Sequence, residues 1–176
     1  MTMNITPNPS IKSGRSSGRK GVAGRFLMHI PVPWVFVLTY LCGVGLELVC
    51  RRSIHSSETH LAGNIVGSVL FAMGAAIAAW SWLIFHKART TTIPGRPSSK
   101  LVTWGPYRFS RNPMYVGLIF AYFGEAGILH QIWPVMVLPL TIFYINWIVI
   151  PVEEARLKEV FELEYQEYCA RVRRWI

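Results

Sequence analysis

Residues 61–85, LAGNIVGSVLFAMGAAIAAWSWLIF, form the longest apolar stretch, with 25 consecutive positions that carry no charged side chain. At the helical rise, this stretch is about 37 Å long, which is enough to cross a bilayer with some tilt. Gly63, Gly67, Ala75 and Ala79 recur in it at multiples of four residues, a pattern typical of closely packed membrane helices. We therefore predict a membrane-spanning helix with a stripe of small residues.

Three more apolar stretches accompany this helix, at residues 33–50, 115–130 and 132–152. The last two have almost no polar linker between them, which predicts a tight antiparallel helical hairpin. We expect Pro134 and Pro139 to kink the second helix of that hairpin or to delay its start. The fold class predicted is therefore an all-α integral membrane protein with four transmembrane helices, occupying residues 29–176.

The basic residues predict the orientation of these helices. Of the 18 lysines and arginines, five precede the first predicted span, two follow it, six lie between the second and third, and five follow the fourth. Because cytoplasmic loops are enriched in lysine and arginine, both termini and the 86–114 loop are expected on the cytoplasmic side. Residues 1–28, rich in Ser, Gly, Lys and Arg, predict a disordered basic tail.

Composition also narrows the class of partner. The chain is 52% hydrophobic, and its net charge of +9 comes from cations beside apolar segments. No basic face interleaved with aromatic residues is present, so nucleic-acid binding is not predicted. The three cysteines form no CxxC pair and the five histidines no HxxxH spacing, so no metal site is predicted either. Membrane lipids are the expected surroundings.

Two segments carry polar residues suited to chemistry. Residues 101–117, LVTWGPYRFSRNPMYVG, combine turn-forming Gly-Pro and Asn-Pro pairs with aromatic and arginine side chains, and therefore expose backbone donors and acceptors beside the membrane. Glu153 and Glu154 follow the last span and are expected to open an amphipathic tail helix, whose apolar stripe contains Leu157, Phe161, Tyr165, Tyr168 and Val172. The alternative is a structural role, in which the two carboxylates interact favourably with the dipole of that helix.

Two further glutamates lie inside the apolar stretches. Glu125 is a candidate site residue, because carboxylates at membrane depth are costly, although it also lies near the tip of the predicted hairpin. Glu47 lies near one end of its span, which favours a carboxylate that snorkels towards the interface.

Taken in order, these motifs resemble the isoprenylcysteine carboxyl methyltransferase family, including its bacterial relatives and the related phospholipid N-methyltransferases. The resemblance covers about residues 90–175 and rests on LVTxGxY, RNPxYxG, the apolar hairpin, the Glu-Glu pair and EYxxYxxxV. It implies an S-adenosylmethionine site within residues 90–176 and without a Rossmann domain. By position, the family's cofactor contacts fall on Ser99, Lys100, Leu101, Val102, Tyr107, Asn112, Pro113, Met114, Tyr115 and Glu153.

The resemblance also implies roles for these residues. Aromatic rings would flank the adenine or the sulfonium, a carboxylate would hold ribose hydroxyls or the amino group, and Arg111 would receive the methionine carboxylate. The catalytic residues implied are Glu153, Glu154, Asn112 and Arg111. Asn112 replaces a histidine of the prenylcysteine enzymes, and Val149 replaces an arginine that handles their substrate carboxylate.

The resemblance therefore leaves the acceptor open. It implies methyl transfer to a lipophilic or membrane-embedded small molecule, with a carboxylate or amine head group, at the cytoplasmic face. The Asn-Pro motif resembles the bacterial relatives, which favours the bacterial inner membrane. Two alternatives remain at this stage: an NADPH-dependent membrane lipid or sterol reductase, and a non-enzymatic membrane scaffold.

Overall fold

A computed structural model describes residues 32–50, 57–87 and 101–176, and these ranges contain helices and no strand. The elements are α1 (Val32–Cys50), α2 (Ser57–Lys87), a 3-10 turn (Gly105–Arg108), α3 (Pro113–Ile128), α4 (Trp133–Tyr144), a π-helical turn (Ile145–Val149) and α5 (Ile150–Arg171). The all-α prediction is confirmed for these ranges. The predicted basic tail, Ser99 and Lys100 lie outside the described residues.

Three stretches within the described ranges are long and apolar enough to cross a membrane: Val32–Cys50, Leu61–Lys87 and the first part of Trp133–Arg171. Helix α3 is also apolar, but its 16 residues extend only about 24 Å, which is less than the usual hydrocarbon thickness. These lengths agree with an integral membrane protein. A fourth crossing by α3 stays a prediction.

Glycines allow α2 and α3 to pack closely along each other. A Cβ atom at Gly67 would lie 2.8 Å from the carbonyl oxygen of Gly124, and one at Gly117 would lie 2.7 Å from the backbone nitrogen of Ala78. Both distances are shorter than van der Waals contact, so each position accommodates a hydrogen atom but no side chain. The helix pair is therefore held together by backbone-to-backbone packing.

The predicted stripe of small residues is only half right. Gly63 and Gly67 do face α3, but Ala75 and Ala79 are exposed and Gly74 is buried against α3 instead. At 100° per residue, Gly74 lies about 20° from Gly63 around the helix, whereas Ala75 and Ala79 lie about 120° and 160° away. A strict four-residue spacing drifts off the contact face, because a helical turn has 3.6 residues.

Helices α3 and α4 do not form the predicted tight hairpin. Their connection is short, but α3 packs mainly along α2 and α4 mainly along α1. A Cβ atom at Gly43 of α1 would lie 2.5 Å from the Cα atom of Pro134 at the start of α4. The described bundle is therefore two closely packed pairs, since the glycine face of α3 is occupied by α2.

Glu47 joins α1 to the start of α4. Its Oε2 atom accepts hydrogen bonds from the backbone nitrogens of Ile132, at 3.1 Å, and Trp133, at 3.2 Å. The first amides of a helix have no partner within the helix, and a carboxylate there also interacts favourably with the helix dipole. The sequence did not indicate this contact, because the donors lie 85 residues away along the chain, and the orientation of Glu47 towards the interface stays a prediction.

Helix α4, the π-helical turn and the first part of α5 form one continuous helical stretch, which extends from Trp133 to a kink at Glu162. The sequence suggested that Glu153 and Glu154 open a separate tail helix, but they lie within this stretch instead. Pro151 has no N–H to donate four residues back, and its ring crowds the carbonyl of Trp147. A wider π-helical turn just before Pro151 accommodates both effects, and its extra residue rotates the following side chains by about 100°.

Helix α5 and the residue after it have the predicted apolar stripe. Tyr165 and Tyr168 are buried, and Leu157, Phe161 and Val172 are partly buried. Glu162 has non-helical dihedral angles, with φ at 38° and ψ at −107°, so the helix is kinked there. The stripe consequently lies against the rest of the protein, on the side of the Gly105–Arg108 turn.

Candidate functional site

The segment that follows residue 100 folds against the end of α2. Gly105 has a φ of +64°, a left-handed conformation that favours glycine because it has no side chain. The 3-10 turn that starts at Gly105 buries the ring of Tyr107, which contacts Phe85 edge to face at 5.1 Å. Val102 is buried in the same cluster. The turn thus fixes Tyr107 beside the end of α2.

Tyr107 also contacts α5. Its carbonyl oxygen accepts a hydrogen bond of 2.7 Å from the hydroxyl of Tyr168. Burial raises the pKa of the Tyr107 hydroxyl well above its ordinary value, and the nearby Tyr168 and Glu153 raise it further. A side-chain hydrogen bond with Ser81 opposes this rise without cancelling it.

Tyr115 and Glu153 form the central polar contact of the site. The Tyr115 hydroxyl donates to both carboxylate oxygens of Glu153, at 2.9 and 3.0 Å. Tyr115 is buried in the first turn of α3, which begins at Pro113, a residue well suited to a helix start because its φ is already helical. This bond fixes the orientation of a partly buried carboxylate where α3 meets α5.

Glu154 has different partners, although it adjoins Glu153 in the sequence. Its Oε1 atom lies 3.0 Å from Nη1 of Arg111, and its Oε2 atom lies 2.6 Å from Nη2 of Arg174. Burial disfavours the charged form of Arg111, but Glu154, Cys169 and Tyr165 together outweigh that effect and raise the pKa of Arg111. Two guanidinium groups therefore neutralise one carboxylate with only 13% of its side chain exposed.

The loop between the 3-10 turn and α3 is bonded to the end of the chain. The Asn112 side-chain nitrogen donates to the carbonyl of Arg174 at 3.0 Å, and the backbone nitrogen of Arg111 donates to the carbonyl of Arg173 at 3.0 Å. Nη1 of Arg111 also donates to Sγ of Cys169 at 2.8 Å. Asn112 and Arg111 thus have structural partners in α5 and in the segment after it.

Sequence reasoning did not select three residues that complete this arrangement: Arg174, Trp175 and Asn146. The Trp175 indole donates to Oδ1 of Asn146, at 3.0 Å, in the π-helical turn. A signal for Arg174 was present, because a Glu-Glu pair beside a membrane requires cations, and Arg174 follows Glu154 by 20 residues in the same terminal segment. Those arginines were interpreted only as determinants of orientation.

The structure brings most of the predicted site residues to one end of the bundle. Tyr107, Tyr115 and Glu153 lie together, and Arg111, Asn112 and Glu154 lie beside them with the end of the chain. The others described are Leu101 and Met114, partly buried, and Val102 and Pro113, buried.

Glu125 lies apart from this group. It is exposed and ten residues along α3 from Tyr115, a distance of about 15 Å at the helical rise.

Within the described residues, these features are those of a helical bundle with three stretches apolar enough to cross a membrane, and with a polar cluster formed by the 110–112 loop and α5. The family model described as phospholipid methyltransferase matches residues 62–164, which is more than half of the chain. The chain therefore belongs to the phospholipid methyltransferase family, which includes the isoprenylcysteine carboxyl methyltransferases. No curated protein and no solved structure matches the chain.

The family confirms the broader part of the resemblance found in the sequence. It points to a methyltransferase, and its members generally use S-adenosylmethionine to methylate lipid-like molecules. The narrower assignment, to the bacterial relatives of the isoprenylcysteine enzymes, stays a prediction.

Proposed function

We propose that this protein transfers a methyl group from S-adenosylmethionine to a lipophilic acceptor, with a carboxylate or amine head group, at the cytoplasmic face of the membrane. The observation that carries the proposal is the Tyr115–Glu153 bond, which lies inside the matched family region and next to Tyr107. Family membership favours methyl transfer over the membrane reductase and over the scaffold.

The residues present suit this cofactor. Nε of Arg111 is buried and has no hydrogen-bond partner among the described residues, so it is a donor available to a carboxylate. The Glu153 carboxylate is an acceptor for amino or hydroxyl groups, and tyrosine rings favour a sulfonium cation. We propose that the remaining cofactor contacts come from Ser99, Lys100, Leu101, Val102, Asn112, Pro113 and Met114.

The bound cofactor supplies an electrophilic methyl group, so the protein needs no covalent nucleophile. Its residues have to hold the acceptor in line and exclude water. For an amine acceptor, Glu153 is the better base of the pair, because Glu154 is already paired with two guanidinium groups. A carboxylate acceptor arrives already deprotonated and needs no base.

We also propose that the site end of the bundle faces the cytoplasm and that α3 completes a set of four crossings. The contact of Glu47 with Trp133 marks one end of the bundle, and the contact of Phe85 with Tyr107 marks the other. The predicted cytoplasmic segments, with sixteen of the 18 lysines and arginines, all adjoin the second end. The bacterial inner membrane is the membrane expected.

Calorimetric titration of the detergent-solubilised protein tests the cofactor directly. We expect binding of S-adenosylmethionine and of its demethylated product, and no binding of NADPH. Methyl-labelled cofactor is then incubated with the protein and a membrane lipid extract, and we expect label in the organic phase. Binding of NADPH in place of the methyl donor would establish the reductase alternative, and binding of neither would overturn the proposal.

A further inference from the structure

The last five residues form a distinct structural feature, which we call the C-terminal clasp (residues 172–176). Helix α5 ends at Arg171, and Val172 is extended, with φ at −124° and ψ at 130°. Beyond this point the chain lies against the loop formed by residues 110–112 and against α5 itself. The clasp follows the residues matched by the family model, which end at residue 164.

Backbone carbonyls of the clasp hold the 110–112 loop. The carbonyl of Arg174 accepts from the Asn112 side chain at 3.0 Å and from the Ser110 hydroxyl at 3.4 Å. The carbonyl of Arg173 accepts from the backbone nitrogen of Arg111 at 3.0 Å. Ser110 is buried, so these bonds satisfy polar groups that lack access to water.

The side chain of Arg174 holds α5 at the same time. Its Nε and Nη2 atoms donate to the two carboxylate oxygens of Glu154, at 3.2 and 2.6 Å. This two-bond geometry suits a guanidinium and cannot be reproduced by a lysine. Arg174 therefore links two elements, because its carbonyl bonds to the loop and its guanidinium bonds to α5.

Trp175 provides a second anchor for the clasp. Its indole nitrogen donates to Asn146 in the π-helical turn at 3.0 Å, and its ring packs against the main hydrophobic core. Arg174 is thereby held between two fixed points, the loop on one side and the π-helical turn on the other.

We propose that Arg174 is a positioning residue for the cofactor site. By fixing the 110–112 loop to Glu154, it holds the start of α3 against α5 and so maintains the Tyr115–Glu153 bond. The inference rests on the proposed function, because the loop and Glu153 are the proposed cofactor contacts. It adds a role for a segment outside the matched family region.

Arg174→Ala and Arg173→Ala form a matched pair for testing this role. Both remove one positive charge from the clasp, but the side chain of Arg173 is exposed, and only its backbone carbonyl is bonded to the loop. Hydrogen exchange in detergent should increase in the peptide that contains residues 107–115 for Arg174→Ala and stay unchanged for Arg173→Ala. This measurement requires no cofactor, so it distinguishes failure of the clasp from failure of the proposed function.

The kinetic readout separates positioning from general stability. The loss of a charge-assisted hydrogen bond is expected to raise the KM for S-adenosylmethionine about tenfold in Arg174→Ala, well below its unfolding temperature. Arg174→Lys should restore only part of that affinity. In a Glu154→Gln background, Arg174→Ala should have little further effect, because its partner is already altered.

Several outcomes would overturn the proposal. One is unchanged hydrogen exchange of residues 107–115 in Arg174→Ala. Another is increased hydrogen exchange with an unchanged KM, which would mean that the clasp contributes to stability only. If Arg174→Ala does not fold, Trp175→Phe removes only the indole N–H and should produce the same two changes to a smaller extent. Unchanged exchange and KM in Trp175→Phe would then contradict the role of the clasp.

Discussion

Glu153 and Glu154 are consecutive residues of the same type, and yet the fold gives them different partners. Consecutive helical residues point about 100° apart, so one carboxylate faces Tyr115 in α3 and the other faces Arg111 and Arg174. A carboxylate removed from water requires compensation, which a tyrosine hydroxyl supplies in one case and two cations in the other. The first is the carboxylate that we propose for the cofactor, and the second connects the loop to the segment after α5 through two arginines.

Removing the Tyr115 hydroxyl tests the central contact of the site. Tyr115→Phe removes the bond that fixes the orientation of the Glu153 carboxylate, so we expect the Kd for S-adenosylmethionine to rise about tenfold. Titration calorimetry measures this change. Tyr122→Phe is the matched control, because Tyr122 is buried in the same helix and its hydroxyl donates to the carbonyl of Pro134 at 2.9 Å, away from the site. Equal losses in both variants would remove Tyr115 from the proposed site.

Glu153→Gln keeps the shape of the side chain and removes its charge. We expect labelling of the lipid extract to fall at least about tenfold, because a neutral amide is a weaker acceptor for cofactor groups and cannot take a proton. Glu125→Gln makes the same change on an exposed residue outside the cluster and should leave labelling unchanged. Loss of labelling in Glu125→Gln would place the chemistry at the other end of α3.

At the scale of the elements, the glycine contact between α2 and α3 determines the depth and rotation of α3, and hence where Tyr115 lies. The sequence indicated a small-residue helix but placed half of the stripe on the wrong face, because the contact follows spacings of four and seven residues. The π-helical turn before Pro151 was not predicted at all. It depends on how a local proline conflict is relieved, and it alters the rotation of every later residue in α5.

Gly67→Ala should destabilise the helix pair by about 1–3 kcal/mol, because its methyl group would meet the backbone of Gly124 and Ile128. Gly45→Ala is the matched control on α1, where a Cβ atom would meet nothing within 4 Å. That change should be neutral or slightly stabilising, since alanine favours a helix by about 1 kcal/mol over glycine. Thermal unfolding in detergent measures both. Equal melting temperatures for the two variants would contradict the close α2–α3 contact.

At the scale of the whole molecule, the proposed orientation places Cys50 and the second half of α5 on opposite sides of the membrane. In single-cysteine variants in intact bacterial cells, a membrane-impermeant maleimide should label Cys50 from outside. It should label Ala170→Cys, at an exposed position of α5, only after the membrane is opened. The reverse pattern would invert the topology, and labelling of both from outside would rule out the predicted even number of crossings.

The apolar stretches were sufficient to predict a helical membrane protein, and the motifs indicated the family and the segments proposed to form the site. Charge-free length, small residues and turn formers are local properties, so they can be read without a fold. Tertiary contacts were needed to show which glycines touch α3, that Glu47 caps α4, and that Glu154 is neutralised by Arg111 together with Arg174. Those outcomes depend on contacts between distant parts of the chain, and helical rotation sets such contacts in ways that spacing alone does not encode.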